Sequence, residues 1–219
     1  MPALAAELTD RQVAVIFTGG STPATLAAKA ATTTIPIVFF VGGDPAEMGL
    51  VTSLSRPGGN LTGVTNLAVE LGPKRLELLH ELAPAATNMA LLVNPTNPAN
   101  DQQTRDVQDA ARKLGLTLHV LHARTEAEID SAFATLVELR VGGLVIGPDV
   151  LFNGMPRSEH IAALALRYQV PTIYQYPEFT AAGGLMSYGS NLAEMFRQAA
   201  VYVGWATSGV PSRVSTTAS

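Results

Sequence analysis

The 219 residues carry 14 Lys and Arg against 18 Asp and Glu, a formal net charge of −4, and no cysteine. Scattered basic residues with a slight acidic excess leave no electrostatic footprint for a nucleic-acid backbone or an anionic membrane surface, and without a thiol this chain has no disulfide, thiolate nucleophile or cysteine-ligated metal. Hydrophobic residues at 47% and charged ones at 15% describe a well-buried globular protein, and the longest apolar run, residues 35–41, is far short of the ~20 residues of a membrane-spanning helix.

Met1 to Leu8 have no basic start and carry Glu7 within a short apolar stretch, so they do not read as a secretory signal. Taken at face value, that expects a cytoplasmic chain. From there short β-branched runs alternate with helix-patterned stretches, the order that a mostly parallel sheet flanked by helices requires. Strands are expected, in chain order, at residues 13–17, 36–41, 61–65, 89–93, 117–121, 143–146, 171–176 and 185–187. Most are continuous apolar runs, as strands covered on both faces should be. Helices are expected at 23–31, 71–82, 100–114, 126–139, 158–168 and 192–207. Thr125 ahead of Glu126 and Glu128 places a hydroxyl cap and acids at a helix N-terminus, and Gly115 after Lys113-Leu114 is the matching stop.

Two segments repeat one pattern. Arg11 to Gly20 leads through a helix to Ile35-Pro36-Ile37-Val38, and Arg140 to Asp149 leads through a helix to Val170-Pro171-Thr172-Ile173. One strand–turn–helix–Pro–strand unit near each end suggests two similar lobes, although βαβ units are common enough to produce such a likeness by themselves. The expected division is lobe one at 1–66, lobe two at 67–179, a return to lobe one at 180–209 and a disordered tail at 210–219.

In open parallel sheets ligands bind beyond the carboxyl ends of the strands, so the turns there are the candidate site. After the first strand, Thr18-Gly19-Gly20-Ser21-Thr22-Pro23 offers hydroxyls and free N–H groups at a helix start, suited to a carboxylate; a plain helix cap with Pro in the first turn explains Ser21 and Thr22 equally well. Asp44, after Gly42-Gly43, is either a cap before Pro45 or a carboxylate facing an amine. Asn94, in Asn94-Pro95-Thr96-Asn97-Pro98, offers donors and acceptors to a polar ligand or simply makes an Asn/Pro turn. Asp149, beyond the strand at 143–146, could pair with a substrate ammonium or serve as a local Asx-turn acceptor. Tyr176 and Tyr188, at two further strand ends, are pocket-lining or core aromatics. No catalytic constellation emerges: the four histidines lack zinc spacing, and neither a nucleophile elbow nor a phosphate-binding loop occurs. No cofactor is expected.

Five stretches together resemble a known family: Thr32 to Phe39 (TTTIPIVF), Gly42 to Pro45 (GGDP), Ser55 to Val64 (SRPGGNLTGV), Leu71 to Leu79 (LGPKRLELL) and Ala181 to Gly189 (AAGGLMSYG). They are similar to the ABC-transporter substrate-binding proteins of the TrpX-like type, and the likeness covers almost the whole chain. It implies a type I periplasmic-binding-protein fold of two Rossmann-like lobes with parallel sheets flanked by helices, and a cleft that closes on a small organic solute such as an aromatic amino acid. It further implies a periplasmic location, a transporter permease as partner, no direct membrane insertion and no enzymatic activity. Carried over by position, the family's turns fall at Ser21-Thr22, Asp44, Asn66, Asn94, Asp149 and Tyr188. Against that pattern the chain lacks an export signal, the opening strand and helix of lobe one, and a last crossing, so lobe one is expected to be incomplete and to expose a sheet edge. An α/β enzyme acting on a small phosphorylated or carboxylated metabolite, and a ligand-sensing regulatory domain, are the alternative readings.

Overall fold

The computed structural model describes residues 1–208 and 214–216. Its elements run α1 (Pro2–Asp10), β1 (Ile16–Gly19), α2 (Thr22–Ala31), β2 (Ile37–Val41), β3 (Leu61–Thr65), α3 (Gly72–Leu82), β4 (Asn88–Val93), α4 (Ala99–Lys113) and β5 (Thr117–His122). They continue as α5 (Glu126–Glu138), β6 (Leu144–Ile146), α6 (Met155–Arg167), β7 (Thr172–Tyr174), α7 (Pro177–Ala181), β8 (Met186–Ser187), α8 (Leu192–Thr207) and β9 (Val214–Thr216). The chain divides into two compact units, unit 1 being Met1–Leu67 with Asn191–Ser219 and unit 2 being Ala68–Ser190.

Unit 1 holds a parallel sheet in the order β1-β2-β3-β9. Side chains of a strand alternate between faces, and β2 uses both. Ile37, Phe39 and Val41 pack with Ile16, Ala28, Leu50 and Leu61 on the side of α2, while Val38 and Phe40 pack with Val64, Met195, Ala199 and Tyr202 on the side of α8. All five β2 residues are buried, which is why the run 37–41 reads as uninterrupted apolar sequence. Gly63 in β3 is required by close approach: a Cβ there would overlap the carbonyl oxygen of Phe39 and lie 2.8 Å from its ring. Among the described residues β1 has β2 as its one strand neighbour, so its other edge is open.

Unit 2 holds a five-stranded parallel sheet in the order β5-β4-β6-β7-β8. One face carries α3 and α4, where Leu76 and Leu79 meet Met89, Leu91, Val93, Val107, Ala111, Val145 and Ile173. Because β4 is flanked by its successor β5 on one side and by β6 on the other, the winding reverses at β4, and the crevice beyond the carboxyl ends of β4 and β6 is the unit's switch point.

Most elements fall where the hydrophobic pattern puts them, with four informative differences. The first strand begins at Ile16 rather than residue 13, because the ladder starts where Ile16 N–H donates to the Pro36 carbonyl at 2.9 Å. Helix α1 occupies the stretch weighed above only as a leader, with Pro at its start and Ala5 buried. Residues 180–187, assigned above to the return segment, include β8, which pairs with β7 inside unit 2, and the chain leaves that unit after Ser190. Of the tail expected at 210–219, residues 214–216 form β9 beside β3, and the others lie outside the described residues.

Candidate functional site

The strand-end turns of unit 1 are held by their own backbone. Ser21 caps α2, its hydroxyl accepting from Ala24 N–H at 3.3 Å, and Thr22, buried, points its hydroxyl to Met48 Sδ at 3.7 Å. Asp44 Oδ1 accepts from Ala46 N–H at 2.7 Å and Glu47 N–H at 3.3 Å, closing an Asx turn before Pro45 rather than capping a helix, since none begins between β2 and β3. Asn66 is buried at the end of β3, where its N–H meets the Val41 carbonyl, and the adjacent Thr65 hydroxyl donates to the Gly43 carbonyl at 2.8 Å.

The switch point of unit 2 gathers a denser polar set. Asp149, 4% exposed, follows β6 and accepts at Oδ1 from Asn94 Nδ2 at 3.0 Å and Leu151 N–H at 2.8 Å, and at Oδ2 from Asn97 Nδ2 at 2.8 Å. Asp149 makes the local Asx turn through Leu151 N–H, and it also fixes two amides from the loop after β4, more than fifty residues away. Asn94 spends its oxygen on Thr96, through N–H at 3.0 Å and hydroxyl at 2.8 Å, while Asn100 Nδ2 donates to the Asn94 carbonyl at 3.0 Å.

Beside this network some buried polar atoms find no protein partner: Asn100 Oδ1, Gln175 Oε1 and both polar atoms of Gln103. Gln103 is fully buried on the first turns of α4, with Nε2 3.2 Å from the Cβ position of Gly72 and Oε1 2.9 Å from that of Gly147. Gln175 donates to Asn153 Oδ1 at 2.8 Å. Native interiors rarely leave such groups unpaired, and the exceptions concentrate where a ligand or water completes the set.

Of the two site tyrosines, Tyr176 is buried at the start of α7 and Tyr188 is 38% exposed after β8. Tyr188 is tied through its backbone, its N–H donating to the Tyr174 carbonyl at 2.9 Å and its own carbonyl accepting from Arg75 Nε at 2.8 Å. Tyr174 is core: it stacks on Phe179 at 4.6 Å, and burial pushes its hydroxyl up to about 12. The structure thus brings Asn94 and Asp149 together. It adds Arg75, Asn100, Gln103 and Asn153, which were not singled out as site residues, together with Asn97 and Gln175 from the strand-end turns themselves. Gln103 and Arg75 carry one readable signal: each is a polar side chain on the apolar stripe of its helix, Arg75 beside Leu76 and Leu79, Gln103 four residues before Val107.

A doubly wound unit inserted between the two segments of a second parallel α/β unit has the type I periplasmic-binding-protein fold. Residues 2–213 match the model of the family described as ABC transporter substrate binding protein, and the chain belongs to that family. A tyrosine-binding protein of Clostridioides difficile (strain R20291) is 30% identical over 171 residues, covering 77% of this chain and 48% of that protein, so the chain spans about half the length of this relative. Among solved structures, a conserved domain protein from Vibrio cholerae superposes with a TM-score of 0.85 at 24% identity, over 99% of this chain and 74% of that one. The ABC domain in complex with L-Trp from Streptococcus pneumonia gives 0.81 at 20% identity, over 99% and 73%. Among the described residues no helix is long and apolar enough to cross a membrane.

Proposed function

We propose that the chain acts as the solute-binding component of an ABC-type importer, takes a small aromatic amino acid in the periplasm, presents it to a transporter permease, and carries out no chemistry on it. The observation that carries this reading is the polar set at the β4/β6 switch point, where Asp149, Asn94 and Asn97 are locked together beside buried amide atoms of Asn100, Gln103 and Gln175 that lack protein partners. Amides supply both donors and acceptors, which suits the ammonium and carboxylate of an amino acid. Family membership and the tyrosine-binding relative support the solute class.

In this reading Asn94, Tyr176 and Tyr188 are the candidate contacts at the strand ends of unit 2, where Asp149 works chiefly by holding the amides in place; within unit 1 the candidates are Ser21, Thr22, Asp44 and Asn66. Calorimetric titration of the full chain with L-tyrosine, L-tryptophan, L-phenylalanine, L-alanine and D-glucose tests it. Saturable one-site binding of an aromatic amino acid is the expected result. Heat from glucose alone, or silence across the panel, overturns the reading.

A further inference from the structure

Arg75 is among the largest fully buried side chains of the described residues, and no Asp or Glu among them pairs with it. Burial pushes its guanidinium down to about 10, still cationic at neutral pH. A buried, unpaired cation is costly, and such groups persist where the fold puts their hydrogen bonds to use.

Those bonds run to two backbone carbonyls far apart in sequence. Nη1 donates to the carbonyl of Ala68 at 3.0 Å, and Nε donates to that of Tyr188 at 2.8 Å. Ala68 is the first residue of unit 2, and Tyr188 stands two residues before its last, Ser190, so the bonds land on the segments by which the chain enters and leaves the unit. Each anchored residue adjoins one with an unusual backbone: Leu67 at φ 48°, left-handed without being glycine, and Gly189 at φ 154°. Any Cβ at Gly189 would overlap the Gln175 carbonyl oxygen and come within 3.2 Å of Arg75 Nη2, so the exit segment lies directly against the guanidinium.

We propose that Arg75 is a positioning residue that couples the entry segment at Ala68 to the exit segment at Tyr188, so that the two passages of the chain shift together and bending is confined to Leu67 and Gly189. The planar fork of an arginine can hold two carbonyls along fixed, separate directions; a lysine, as a single point of donors, cannot hold both in that geometry. The inference deepens the receptor reading, since a protein that closes on a solute needs its passages to move in concert, and it rests on that reading for its purpose though not for its test.

The test is amide hydrogen exchange by mass spectrometry on the full chain without solute, comparing the parent, Arg75→Lys and Gly189→Ala. Coupling predicts that Gly189→Ala, which displaces the exit segment, raises exchange by about tenfold or more at residues 66–72 as well as at 187–191, with β4 still protected. Arg75→Lys should loosen the same two segments together. Faster exchange confined to 187–191 in Gly189→Ala, or an even rise across unit 2 in Arg75→Lys, overturns the proposal. Should one variant fail to fold, the other decides. A silent titration would remove the solute reading and leave this result standing by itself.

Discussion

The side-chain amide of Asn97 donates to Oδ2 of Asp149 at 2.8 Å, while Asn94 and the Leu151 N–H occupy Oδ1, so one carboxylate fastens the loop after β4 to the loop after β6. An Asp149→Asn variant replaces one acceptor oxygen with an NH2 group that must face a donor. Removing one partner of a buried hydrogen bond costs about 1–3 kcal/mol. The variant should unfold in urea at lower concentration with an unchanged denaturant slope. An Asp149→Asn protein as stable as the parent would show that the carboxylate is not what ties these loops.

The position of each turn was legible from the sequence, because a continuous apolar run ends where a strand ends: Asn94 follows such a run directly, and Asp149 follows one after Gly147-Pro148. Their partnership was not. Asn97 and Asp149 stand 52 residues apart and Arg75 and Tyr188 113 apart, distances that only the winding of the sheet closes. The same limit moved the first strand: Val13 and Val15 carry strand propensity, but the register with β2 begins at Ile16. It also hid where β8 belongs: a strand is expected at residues 185–187, but only its pairing with β7 places it in unit 2. Local chemistry decides which residues sit at strand ends, and tertiary pairing decides which of them meet.

Gln103 presents a buried amide whose two polar atoms find no protein partner, wedged between the Cβ positions of Gly72 and Gly147. Replacing it by methionine keeps the length and removes both unmet demands, each worth about 1–3 kcal/mol when buried. Gln103→Met should therefore raise the thermal midpoint of unfolding. If the amide is retained for the solute, the same change should weaken binding of an aromatic amino acid by about tenfold or more. A gain in stability with affinity untouched would take Gln103 out of the site, and a loss of stability would show that its amide is satisfied within the folded protein.

Glu194, in the first turn of α8, accepts from Arg197 at 2.8 and 2.6 Å and from Gln198 at 3.1 Å. The Arg197 hydrogen bonds, followed by that of Gln198, hold its carboxyl down to about 2, against an ordinary value of 4.5. Above pH 4.5 the group is ionised both folded and unfolded, and its contribution to stability is complete. As the pH falls from 4.5 towards 2 the unfolded chain takes up a proton that the folded chain refuses, so that contribution is progressively lost. The pair is exposed and screened by solvent, which keeps the effect small. Melting temperatures of the parent and Glu194→Gln should differ at neutral pH and converge as the pH is lowered through that window, with added salt shrinking the neutral-pH difference. A gap that persists unchanged in acid would mean that Glu194 stabilises α8 through something other than its charge.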